Sequence, residues 1–79
     1  MGFYVMVHKT EESSSRAEYE FGPDEQHLGK LLIRKDTGSI EQLDAAPVDN
    51  ARAVFARAAT KIRQAWRSGT LPERTCWAS

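Results

Sequence analysis

The C-terminal half of the chain carries its most regular hydrophobic pattern. Between Asp49 and Gly69 the apolar side chains recur at the i, i+3, i+4, i+7 spacing of one helix face: Ala51, Val54, Phe55, Ala58, Ile62, Ala65 and Trp66. At about 100° per residue they fall within an arc of roughly 120°. Asp49 is expected to cap the first turn, and Gly69 to close the last one in the left-handed conformation. The pattern therefore predicts one long amphipathic helix over residues 49–69.

Alternation with a period of two dominates the N-terminal half and predicts strands there. Residues 16–21 alternate apolar and charged side chains, as a half-buried strand does. Residues 3–8 are apolar on both faces, which is typical of a strand that is covered on both sides. Residues 9–15 are polar and show no period, so they are predicted to form an exposed loop.

Two further strands are predicted over residues 28–35 and 39–43. The segment Gly22-Pro23-Asp24-Glu25 is expected to form the turn before them, since proline presets φ at the first corner. Between them, Asp36-Thr37-Gly38 fits a short hairpin with glycine in the left-handed bulge position.

The order of these elements predicts an α+β fold for residues 1–79, which form a single small domain. We expect an antiparallel four-stranded β-meander (ββββα) with one long C-terminal helix packed on one face and an ordered C-terminal tail. The tail contains Leu71, Cys76 and Trp77 and is too apolar to be free in solvent. Trp77 is therefore predicted to dock back onto the body of the protein.

Composition indicates the cellular compartment in which the protein is expected. Cys76 is the one cysteine and cannot form an internal disulfide, so a reducing compartment, the cytoplasm, is expected. No run approaches the roughly 18 apolar residues of a membrane span, and the N-terminal residues lack the basic region of a secretory signal. We therefore expect no membrane partner.

Charge is balanced overall but segregated along the chain. Residues 1–48 carry nine acidic and five basic side chains, whereas residues 49–79 carry two acidic and six basic ones. The simplest interpretation is a basic helix that lies near an acidic sheet and is neutralised internally. Domains that bind nucleic acid strongly usually have a basic excess overall, which is missing here.

Side chains that carry chemistry are few and scattered. His8, His27 and Cys76 are the strong transition-metal ligands, and they lack the paired spacing of zinc sites. The serines of residues 13–15 have no nucleophile elbow, and the five glycines form no phosphate-binding loop. No catalytic residue, metal site or cofactor is predicted, and the protein is expected to be non-enzymatic.

Basic residues flank the apolar stripe of the predicted helix. Arg52, Arg63 and Arg67 project along one flank, and Arg57 and Lys61 form an i, i+4 pair on the other. Long basic side chains with apolar stems are the ordinary border of such a helix. They would equally form a basic surface for an acidic protein partner or for a nucleic-acid backbone. Arg57, Arg63 and Arg67 are therefore the candidate binding residues on the helix.

An open meander leaves two edge strands, and one helix covers only one face of it. Tyr4, Met6 and Leu32 are expected on the uncovered face, and they form the second set of candidate binding residues. Exposed surfaces of this kind are commonly closed by a second copy of the chain or by another protein. The alternative is that the tail with Trp77 wraps round and covers them.

These observations rank three functional hypotheses. The first is a cytoplasmic protein-interaction module of the inhibitor, immunity or adaptor type, which acts through surface complementarity toward an acidic protein or a second copy of itself. The second is a small nucleic-acid-associated protein that uses the basic helix. The third is a small catalytic or metal-dependent subunit.

Overall fold

A computed structural model describes residues 3–78 and shows six secondary-structure elements. In chain order these are β1 (Tyr4–Glu12), β2 (Arg16–Gly22), β3 (Gly29–Arg34), β4 (Ile40–Asp44), α1 (Ala51–Ser68) and β5 (Arg74–Ala78). Across residues 3–78, no helix combines the length and the apolarity that crossing a membrane requires.

The strands form one antiparallel sheet in the order β4-β3-β2-β1-β5. The predicted α+β fold, with an antiparallel sheet and one helix, is confirmed, but the predicted count of four strands is wrong. The tail that was expected only to dock pairs with β1 as a fifth strand, from His8↔Arg74 to Tyr4↔Ala78. The chain therefore leaves the sheet at one edge, crosses one face as α1, and re-enters at the opposite edge.

The helix matches the predicted hydrophobic face. Val54, Ala58 and Ile62 are buried, and Phe55 and Trp66 pack against the core from the borders of the stripe. The aromatic rings of Phe55 and Phe21 meet with their centroids 5.8 Å apart. Helix and sheet are thus held together by apolar contact, which is the main source of stability in so small a domain.

The ends of α1 differ in how they are capped. Asp49 was expected to cap the first turn, and this expectation is wrong: Asn50 occupies the cap position and makes no side-chain cap hydrogen bond. At the other end Gly69 has φ 92°, and its amide donates to Trp66 O at 3.1 Å. The Thr70 amide donates to Ala65 O at 3.2 Å, which completes a Schellman ending and confirms the predicted stop.

β1 is longer than predicted, because it continues to Glu12 through residues that were expected to form a loop. Backbone pairing with β2 carries these polar residues into the sheet, with a β-bulge between Lys9 and Glu11. The bulge changes the phase of side-chain alternation. Lys9 and Glu12 therefore lie on the same face, where their side chains form an ion pair at 2.6 Å.

The turn between β3 and β4 is built on Gly38, as predicted. Gly38 has φ 75°, and its amide donates to Arg34 O at 2.8 Å. A Cβ atom at this position would lie 2.6 Å from the ring of Trp66. The Trp66 indole Nε1 donates to Lys35 O at 2.7 Å. The last turn of α1 is therefore fastened directly to the β3–β4 hairpin.

Candidate interaction surface

The three candidate arginines on α1 do not form one cluster. Arg63 and Arg67 line a shallow groove on the solvent side of the helix, together with Ala56, Ala59, Thr60 and Gln64. Arg57 points the other way, and its guanidinium carbon lies 4.9 Å from the centroid of the Trp77 ring. This cation–π contact joins α1 to β5.

The three candidate residues on the sheet lie on the face that α1 does not cover. Tyr4 is 50% exposed and Met6 is half-buried, but Leu32 is only 4% exposed. The cross-strand neighbours of Leu32 are Glu18 and Glu41. Leu32 is thus shielded within the sheet although no helix lies over it.

Pairing of β5 with β1 places two small residues beside Tyr4 and Met6. Ala78 lies opposite Tyr4, and Cys76 lies opposite Met6. Because directly opposite residues point to the same face of a sheet, these four side chains form one group on the helix-free face. We call this group, Tyr4, Met6, Cys76 and Ala78, the β5 patch. Cys76 and Ala78 are both exposed. Sequence reasoning missed them because β5 was not predicted as a strand.

The outer edge of β5 has open backbone groups at alternate residues. The Lys9 amide donates to Glu73 O at 2.8 Å, which marks these two as a hydrogen-bonded pair. In an antiparallel ladder such pairs alternate along the strands, so Thr75 and Trp77 turn their backbone groups toward β1. The N–H and C=O groups of the alternate residues Arg74, Cys76 and Ala78 therefore point away from the sheet.

The opposite edge, on β4, is irregular. The pairing of Lys30 with Asp44 and of Leu31 with Gln42 leaves Leu43 as an extra residue in a β-bulge. Every residue of β4 after Ile40 is exposed. A bulge and acidic side chains on a short strand are the usual devices that prevent an edge from pairing with another chain. By contrast, β5 pairs with β1 through five consecutive residues without a register shift.

Basic side chains flank the β5 edge. Arg74 projects from β5 on the helix-free face, opposite His8, and Arg57 lies over Trp77 on the helix side. Among residues 3–78 neither arginine forms an ion pair. The Trp77 indole Nε1 is buried and has no hydrogen-bond acceptor within the same part of the chain. A buried donor left without an acceptor is rare in native proteins.

A compact ion cluster joins the end of β1 to the β3–β4 turn and to the segment after α1. The carboxylate of Glu12 contacts the amine of Lys9 at 2.6 Å and that of Lys35 at 2.7 Å. Hydrogen bonds from Lys35 and Lys9 lower the pKa of Glu12 to about 2. The Lys9 amine also donates to Leu71 O at 3.0 Å. One carboxylate thus bridges two amines, so the cluster acts as a structural link between these segments.

The remaining chemistry-bearing side chains stay dispersed. His27 Nδ1 lies 2.7 Å from Asp24 Oδ1 in the turn after β2. Hydrogen bonds from His27 and from the Gln26 amide hold the pKa of Asp24 below its usual range. Within residues 3–78, His, Cys, Asp and Glu side chains nowhere converge in a group of three or more that could hold a metal ion.

No protein-family model, no curated protein and no solved structure matches this chain.

Proposed function

We propose that the protein is a non-enzymatic interaction module of the inhibitor, immunity or adaptor type, which acts in the reducing cytoplasm through surface complementarity toward another protein. The observation that carries this proposal is the β5 side of the molecule. There, a regular open sheet edge runs beside the β5 patch, so backbone groups and apolar side chains are presented together. Protein interfaces combine such backbone pairing with a small apolar anchor.

The proposal is tested by comparing two exposed apolar residues at opposite ends of the sheet. Tyr4 is 50% exposed in the β5 patch, and Leu43 is 42% exposed on β4. Tagged wild-type protein, Tyr4→Ser and Leu43→Ser are used to capture proteins from a lysate of the native host. We expect one protein to be retained by wild type and by Leu43→Ser, and reduced about tenfold or more with Tyr4→Ser, as for loss of an interface aromatic.

Equal capture by all three proteins would refute the role of the β5 patch. Turnover of a substrate by the purified protein, abolished by alanine at one polar residue without unfolding, would refute the non-enzymatic assignment.

A second candidate function is binding to a nucleic-acid backbone through α1. The helix carries five basic side chains and no acidic one, and none of the five is in an ion pair among residues 3–78. Salt titration of binding to random DNA and RNA separates the two candidates. Backbone binding requires an affinity that falls steeply with salt and a smaller slope for the double variant Arg63→Ala/Arg67→Ala.

A further inference from the structure

We propose that the open edge of β5 accepts an extended acidic segment of the protein partner as a sixth strand of the sheet. This binding mode rests on the interaction function proposed above and specifies both the contact and the chemistry of the partner. Addition of a strand to a sheet edge takes affinity from backbone hydrogen bonds and selectivity from alternate side chains.

The backbone of β5 is ready for such pairing. Arg74, Cys76 and Ala78 present three N–H donors and three C=O acceptors to solvent, at the spacing of an antiparallel ladder. No bulge interrupts β5, whereas the bulge at Leu43 interrupts the other edge. The edge available to a regular added strand is therefore that of β5.

The charges beside this edge select an acidic segment. Arg74 flanks the edge on the helix-free face, and Arg57 flanks it on the helix side. Neither has a carboxylate partner among residues 3–78. Acidic side chains on an added strand would meet one arginine on each face. The β5 strand of a second copy of this chain carries no acidic residue, so it would offer a carboxylate to neither arginine.

The register defines a sequence pattern for the partner. A residue opposite Arg74 shares the helix-free face with it, and a residue opposite Trp77 reaches the guanidinium of Arg57 on the helix side. Residues opposite Cys76 and Ala78 extend the apolar β5 patch. An antiparallel partner therefore reads, from its N-terminus, apolar, acidic, apolar, neutral, acidic, with the antiparallel direction favoured because its pairing is the more stable.

The probe is the peptide acetyl-Thr-Val-Glu-Val-Thr-Glu-Thr-amide, and its control carries lysine in place of both glutamates. Amide hydrogen exchange is followed by NMR at each residue of the intact protein. When nine-tenths of the protein is bound, exchange at the amides of Arg74, Cys76 and Ala78 should slow about tenfold, because only free protein exchanges. The amides of β4 should not change.

Variants at two positions test the backbone and the charge separately. Cys76→Pro removes an outward N–H without removing a bond to β1, and proline is tolerated on edge strands, so this variant should fold but lose the peptide. Cys76→Ala keeps the N–H and should bind as wild type does. Arg74→Ala should weaken binding by up to about fivefold, the ordinary contribution of an exposed ion pair.

Protection at β4 or along the α1 groove, equal binding of the lysine peptide, or no protection at any peptide concentration would overturn the proposal. So would protection of the three amides that grows with protein concentration alone, because this identifies the occupant as a second copy. If the peptide fails while host-protein capture still depends on Tyr4, the interaction function stands and only the sixth-strand mode is refuted.

Discussion

The two edges of the sheet differ in the regularity of their strand pairing and in the hydrogen bonding of the nearby tryptophan. At the β4 edge a bulge at Leu43 breaks the ladder, and the indole of Trp66 is hydrogen-bonded and packed over Gly38. At the β5 edge the ladder is regular, and the indole of Trp77 is buried without an acceptor. The Trp66 indole N–H is thus satisfied within the chain, whereas the buried Trp77 indole N–H has no acceptor among residues 3–78.

The largest effect is expected at Gly38, where the backbone packs closely against the ring of Trp66. Gly38→Ala should destabilise the protein by about 2–5 kcal/mol, the sum of the left-handed backbone term and the overlap with Trp66. Gly69→Ala is the matched control, because Gly69 also has positive φ but has nothing within 4 Å of its Cβ position. It should lower stability by only about 1–2 kcal/mol. Urea unfolding measures both, and equal losses would show that the Trp66 contact contributes nothing.

The same substitution at Trp66 and at Trp77 compares the β4 end of the sheet with the β5 end. Trp66→Phe leaves Lys35 O without its donor and should lower the free energy of unfolding by about 1–3 kcal/mol. Trp77→Phe removes a buried donor that has no acceptor among residues 3–78, so its hydrogen-bond contribution should be near zero or favourable. Thermal unfolding measures the stability of both variants. A larger loss of stability for Trp77→Phe than for Trp66→Phe would contradict the contrast between the two ends.

A hydrogen bond near the β5 end gives a smaller effect. Tyr19 is fully buried, and its hydroxyl donates to Pro72 O at 2.6 Å, just before β5 begins. Burial raises the pKa of this hydroxyl, so it remains a donor at neutral pH. Tyr19→Phe should lower stability by about 1 kcal/mol and speed amide exchange in β5 more than in β4. Uniform acceleration over all strands would show that the bond does not act locally.

The ion cluster of Lys9, Glu12 and Lys35 predicts a pH dependence of modest size. The pKa of Glu12 is lowered from 4.5 to about 2, so its ionised form stabilises the fold above about pH 4.5. This contribution is lost as pH falls through the window between those two values. The stability difference between wild type and Glu12→Gln should therefore be largest at neutral pH and vanish near pH 2. Glu25→Gln, at an exposed turn residue, is the control, and urea midpoints at pH 7 and pH 3 measure the effect.

Local pattern was sufficient for the parts of the fold in which periodicity, turn chemistry and burial agree. The α1 face with Val54, Ala58 and Ile62 and the glycine turn at Gly38 could be predicted because neighbours in sequence determine them. The cap was misplaced by one residue, since Asp49 and Asn50 are both good N-cap residue types.

Non-local pairing accounts for what could not be predicted. β5 is five residues long, and within it only Thr75 and Trp77 face the helix side, so it shows too little alternation to be recognised. The extension of β1 to Glu12 likewise depends on its partner strand, because polar residues enter a ladder when their backbone is paired. The β5 patch and the outward amides follow from the register, which no local pattern contains.

The position of β5 also has a consequence for the order in which the molecule folds. Its pairs with β1 join residues 66 to 74 positions apart, from His8 and Arg74 to Tyr4 and Ala78. Because closing such long loops slows folding, β1–β5 pairing is expected to form after the hairpins and the helix. During synthesis on the ribosome, β1 would emerge long before β5. Until β5 is made, the edge of β1 that pairs with it would be unpaired. A chaperone or a neighbouring nascent chain that contacts this edge of β1 would thus compete with β5.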